Sequence, residues 1–180
     1  MMLERTRVSP CLLFGSFLYH QDFHQEADLK QIWEDKFGPS FYLSPRFNPL
    51  AKYYSSEMGS EEKLKRFFAL THDTFSRDKL LISKFEALAW ERSMSRDKKR
   101  TVNVDTGMLT AENFTLATTK NYSHRIFIGE NIFSDLTYQF QHGKFQSLPW
   151  TYPDYLDEEK VEFFTWGRSY LLTLSTHSKT

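Results

Sequence analysis

The run Cys11-Leu12-Leu13-Phe14-Gly15-Ser16-Phe17-Leu18-Tyr19 is almost wholly apolar. It is far shorter than the ~18 residues a membrane span needs, and it suits a buried first strand. A helix is expected after it, from Asp22. Asp22 and Gln25 have capping-box spacing, which would satisfy two orphan amide donors. Leu29, Ile32, Trp33 and Phe37 then fall on one helical face, and Gly38 and Pro39 stop the helix.

Outward from this pair, residues 41–59 look irregular. Pro45 and Pro49 cannot donate to a ladder, so any strand there is short or at an edge. Lys65–His72 suits a strand. Ser76 can cap a second helix, with Leu81, Phe85 and Leu88 on one face and the basic run Arg96–Arg100 at its end. Arg100–Leu109 offers the next strand. The order strand, helix, strand, strand, helix, strand is that of a ferredoxin-like half. A β-meander is expected to follow. Leu116–Lys120 and Arg125–Ile128 flank a turn at Asn121–His124. Gly129–Asn131 turns again, and Leu136, Tyr138 and Phe140 alternate with polar residues. His142-Gly143 makes the last turn. Pro149–Tyr155 is a stiff aromatic loop, and a helix covers about Asp157–Leu174. The fold class is therefore α+β: an antiparallel-dominated sheet with three main helices, residues 1–180 forming one domain.

Lysine and arginine number 23, aspartate and glutamate 23, and the formal net charge is zero. Broad nucleic-acid binding needs a basic excess and is not expected, and no charge asymmetry points to a membrane surface. Cys11 is the only cysteine, which excludes an internal disulfide and a cysteine-based zinc site. Arg5 and Arg7 precede the apolar run as in a signal peptide, but no small-residue cleavage site follows. A cytoplasmic location is the expectation. Glycine-rich phosphate loops and a Gly-x-Ser-x-Gly elbow are absent, which argues against P-loop, Rossmann and α/β-hydrolase chemistry.

Four stretches carry a resemblance: Tyr53-Tyr54-Ser55-Ser56-Glu57-Met58-Gly59, Arg100-Thr101-Val102-Asn103-Val104-Asp105-Thr106-Gly107, Ala117-Thr118-Thr119-Lys120-Asn121-Tyr122-Ser123-His124-Arg125 and Pro149-Trp150-Thr151-Tyr152-Pro153-Asp154-Tyr155. The chain resembles an uncharacterised bacterial family known as a domain of unknown function (4416). The resemblance spans most of the chain and implies no established activity.

The leading site candidates are Lys120, His124 and Arg125. Across a hairpin tip these cations would repel unless an anion lay between them, and Arg and Lys both bind phosphate or carboxylate. The alternative is a set of exposed charges, or charges paired with Glu57 or Asp154. Asn103 and Asp105 share one strand face and could hold Mg²⁺ together with ligand phosphates. They could equally cap a turn before Gly107. The aromatic loop could wall a pocket or act as a hydrophobic plug. His20, His24 and His72-Asp73 lack good metal-ligand spacing, so no protein metal site is expected.

These residues give a leading expectation of an anionic, nucleotide- or phosphate-bearing small molecule. Lys120 and Arg125 would hold the anion, and His124 would serve as general acid or base, oriented by Asp105 or Glu57. Asn103, Asp154, Tyr152 and Tyr155 would line the pocket. No cofactor is evident beyond Mg²⁺ arriving with a phosphate ligand. The alternative is a non-catalytic interaction module that meets a protein partner through the aromatic loop and the C-terminal helix. Convergence of the groups in one concave pocket would separate the two.

Overall fold

The computed structural model describes residues 8–45 and 51–177. The apolar run forms β1 (Leu12–His20), and all nine of its residues are buried. Helix α1 (Glu26–Phe37), β2 (Ser40–Leu43), α2 (Ala51–Met58), β3 (Leu64–Thr71), α3 (Lys79–Ser93) and β4 (Val102–Leu109) follow. Then come β5 (Asn113–Thr118), β6 (Arg125–Gly129), β7 (Ile132–Gln141), β8 (Lys144–Ser147) and α4 (Glu158–His177). The sheet order is β2-β3-β1-β4-β5-β7-β6, with β8 beside β7. Every neighbouring pair is antiparallel. The β2-β3-β1-β4 half, with α1 and α3 as crossovers, has the ferredoxin-like arrangement.

Period-2 alternation in the central strands divides the core. Leu13, Phe17, Phe67, Val102 and Val104 pack with Leu29, Trp33 and Phe37 of α1 and Ala87 of α3. Leu12, Phe14, Phe68, Leu70 and Leu109 pack on the opposite face with Phe164 and Leu171 of α4. Each such side chain contributes about 1.5–3 kcal/mol when fully buried. The result is a sheet between two helical layers. Cys11 is fully buried, and burial pushes its thiol pKa up to about 12. Among the described residues, no helix is long and apolar enough to cross a membrane.

Several local expectations are corrected. Helix α1 begins at Glu26, not Asp22. The amides of Phe23 and His24 both bond the His20 carbonyl, so the chain turns before the helix, and Asp22 pairs with Lys63. The stretch expected to be irregular contains β2 and the additional helix α2. Arg5, Arg7 and Pro49 lie outside the described residues. Ser76 lies before α3 and contributes its carbonyl to the Lys79 amide instead of a side-chain cap. The buried face of α3 is Leu80, Ser83, Lys84 and Ala87, whereas Phe85 is 40% exposed. The basic run is not helical. Arg96 and Lys99 pair across a tight turn, with Asp97 and Lys98 in the left-handed region.

Two corrections bear on the site. Lys120 and Arg125 do not flank a hairpin, because β7 lies between β5 and β6 and pairs with both. Nor does the chain turn at Gly107. Strand β4 runs on to Leu109, and a Cβ at Gly107 would sit 2.5 Å from the Thr115 carbonyl oxygen of β5. Glycine is required there by close strand approach rather than by a turn.

Candidate functional site

Strand β4 pairs with β5 only over Thr106–Leu109. Its first half, residues 102–105, has β1 on one side and no strand on the other. Backbone groups on that open edge still need partners. Helix α3 supplies them: Glu91 Oε1 accepts from the Val104 amide (2.6 Å), and Lys84 Nζ donates to the Val104 carbonyl (3.3 Å). A cleft of about 340 Å³ lies at this fork in the sheet. Burial pushes the Glu91 carboxyl above the ordinary glutamate range. Asp105 adds to the rise, against the Val104 amide, Lys84 and Arg100.

Arg66 and Asp154 form an ion pair within the cleft. Alternation on β3 puts Arg66 on the face of Phe68 and Leu70. Its Nη1 donates to Ser16 Oγ (3.0 Å), and its Nη2 lies 2.7 Å from Asp154 Oδ2. The two charged side chains are 2% and 3% exposed, so removing either would strand a buried charge. The Nε of Arg66 is buried and has no acceptor. Tyr155 stacks flat on Phe68, and burial raises its hydroxyl pKa well above the ordinary value.

A polar chain runs along one wall. Glu57 accepts from Arg100 Nη2 (2.6 Å) and Arg100 Nη1 donates to Asn103 Oδ1 (2.6 Å). Asn103 Nδ2 donates to Asp105 Oδ2 (3.0 Å), and Asp105 Oδ1 lies 3.8 Å from Lys84 Nζ. Burial works against the Arg100 charge, but Glu57 and Glu91 outweigh it and raise its pKa. Its Nε, too, is buried without an acceptor.

The opposite wall is set by a β-bulge. The register of β5 and β7 shifts between Phe114 and Thr115, and Asp135 comes to lie opposite both Leu116 and Arg125. Arg125 Nε donates to Asp135 Oδ2 (2.8 Å), Nη1 to the Lys120 carbonyl (3.0 Å) and Nη2 to Tyr152 Oη (2.6 Å). His124 Nε2 is 3.4 Å from the same Asp135 oxygen, and its ring lies flat on Trp150. Trp150 is itself tied to the Leu136 carbonyl (2.7 Å). The exposed Lys120 ammonium has no carboxylate within ion-pair distance among the described residues.

The model of one protein family, the domain of unknown function DUF4416, matches residues 9–170. The chain belongs to this family. No curated protein and no solved structure matches it.

In this DUF4416 chain the cleft gathers Lys120, Arg125, Asn103, Asp105, Tyr152, Asp154 and Tyr155. His124 and Glu57 are not among its lining residues. His124 reaches it through Asp135, and Glu57 through Arg100. The aromatic loop divides its roles: Thr151, Asp154 and Tyr155 are buried, while Tyr152 is 40% exposed at the cleft. Five charged lining residues, Arg66, Lys84, Glu91, Arg100 and Asp135, were not among the site candidates read from sequence. Two left a signal. Arg66 interrupts the apolar alternation of its strand, and Lys84 lies at helical spacing from Leu80 and Ala87, on a buried face. His20, His24 and His72 have separate surroundings: His20 packs at a tilt on Phe23, His24 bonds Thr101 and His72 packs on Phe41. Among the described residues no three His, Cys, Asp or Glu gather to hold a metal.

Proposed function

We propose that this domain binds an anionic small molecule, phosphate- or carboxylate-bearing, in the cleft at the β4–β5 fork. One observation carries the reading. Two buried guanidinium Nε–H donors, of Arg66 and Arg100, lack acceptors in the same cleft where Lys120 lacks a counter-charge. A buried donor left unmade costs about 1–3 kcal/mol, and native structures rarely leave one without a protein, water or ligand partner. A ligand oxyanion supplies such acceptors. Lys120 contributes free charge, and Arg125, fixed on three sides, shapes the wall. His124, stacked on Trp150 beside Asp135, packs the wall in this reading instead of handling a substrate proton. Any Mg²⁺ would take ligand oxygens into its shell alongside Asp105.

Titration calorimetry with inorganic phosphate, pyrophosphate and citrate tests the proposal. At least one should bind, and Lys120→Ala should weaken it about tenfold, or ~1.4 kcal/mol. Binding by none of them, nor by any phosphate ester, at millimolar concentration overturns it.

A second reading, the interaction module, draws on α4. A shallow groove along that helix is lined by Leu156, Val161 and Trp166, with Leu156 51% and Trp166 45% exposed. Trp166→Ala would abolish capture of a protein partner and leave anion binding unchanged.

A further inference from the structure

We infer that the ligand is a nucleoside monophosphate, an assignment that rests on the anion-binding reading and names its substrate class. Three kinds of chemistry meet in the cleft, and this ligand class uses all of them.

The first is the set of cations already described. The lining carries five cationic side chains and four carboxylates. Four of the cations are paired, Arg66 with Asp154, Lys84 with Asp105, Arg100 with Glu57 and Arg125 with Asp135, which leaves the single charge of Lys120 and suits one phosphate rather than a triphosphate. The second is Asp105. Its Oδ2 accepts from Asn103, but Oδ1 is only loosely approached by Lys84 at 3.8 Å, and the side chain is 35% exposed. A carboxylate oxygen with spare lone pairs accepts from hydroxyl groups such as a ribose diol. The third is aromatic. Tyr53 of α2 is 65% exposed, and it meets Tyr54 at 89°, ring to ring. The Tyr152 ring, on a different element, is fixed by the bond of its hydroxyl to Arg125. Two exposed tyrosines lining one cleft offer faces to a planar base.

Smaller anions leave part of this equipment idle. Inorganic phosphate would use the cations alone, and a sugar phosphate would add Asp105. Size agrees: about 340 Å³ is near the lower end of small-molecule clefts, roughly 300–1,000 Å³. A cleft near that lower end suits one nucleotide better than a dinucleotide.

Titration calorimetry of the full chain with inorganic phosphate, ribose 5-phosphate and the four common ribonucleoside 5′-monophosphates tests the assignment. Affinity should rise in that order, with at least one nucleotide about tenfold tighter than ribose 5-phosphate. Tyr53→Leu should cost that nucleotide about tenfold and leave ribose 5-phosphate unchanged. Asp105→Asn should weaken ribose 5-phosphate and the nucleotide but not inorganic phosphate. Tyr53 is exposed, so its variant tests the idea even if Asp105→Asn folds poorly. Ribose 5-phosphate binding as tightly as every nucleotide would overturn this assignment and leave the anion site standing. Binding by none of the phosphates would overturn both.

Discussion

Glu91 caps an amide that a neighbouring strand would otherwise take, and burial there makes it hold its proton more tightly than an exposed glutamate does. The folded chain therefore binds more protons than the unfolded one between the unfolded pKa of about 4.3 and the raised folded value. Stability contributed by this group is lost as pH rises through that window and is level above it. Glu91→Gln keeps an acceptor for Val104 but cannot titrate, so it should flatten the slope. Urea unfolding at a series of pH values from about 4 to 7 measures this, and an unchanged slope would refute the assignment. At this scale the sequence was informative about identity and weak on environment. Asn103, Asp105 and Tyr152 stood out as polar or aromatic residues in unusual runs. Glu91 gave no sign, because a glutamate on a helix is ordinarily solvated. Arg100 was masked by the basic run that precedes it, although the chain turns between Arg96 and Lys99 and leaves only Arg100 in the cleft.

Among the elements, β4 and β5 are held together at Gly107, where a Cβ would lie 2.5 Å from the Thr115 carbonyl oxygen. Backbone cannot yield there as a flexible side chain would. Gly107→Ala should cost about 1–3 kcal/mol, the usual range for overpacking, and should weaken anion binding by displacing the fork. Chemical denaturation and calorimetry on the same sample check both effects. A variant of wild-type stability would show that the strands can separate freely. Periodicity revealed most of these elements, since β1, β3, β4 and α1 each carry a clear apolar pattern. Partners were less legible. Hydrophobic alternation marks β7 as a strand but does not say that it lies between β5 and β6. The Lys120–Arg125 contact is nonetheless made, through the Lys120 carbonyl rather than across a hairpin. Helix α2 follows two prolines, whose strand-breaking signal hid it.

The whole molecule depends on cover for both faces of its sheet. Strand β1 is buried throughout, and α4 shields the Phe14, Phe68 and Phe114 side. A chain ending before Glu158 would expose those rings. It should lose cooperative thermal unfolding and bind a hydrophobic dye, as incompletely packed states do. Retention of a sharp transition would show that α4 is dispensable. The ferredoxin-like half was legible in element order because each crossover there is local in sequence. The position of α4 on the opposite face was not, since amphipathic spacing gives a buried stripe without saying which sheet face receives it.

Strand pairing at the fork ends at Thr106 and Ala117, so the cleft is the unzipped end of a seam whose zipped end is the protein core. Its depth is counted in whole residue pairs. Zipping as far as Val104 would have to expel the Glu91 and Lys84 groups that occupy the edge, and unzipping one pair would break pairing beside Gly107. The inner end of the opening is thus built from strands, while Thr119, Lys120 and Tyr152 of its lining lie outside them. Any occupant would have to fit a gap whose inner end is set by strand register.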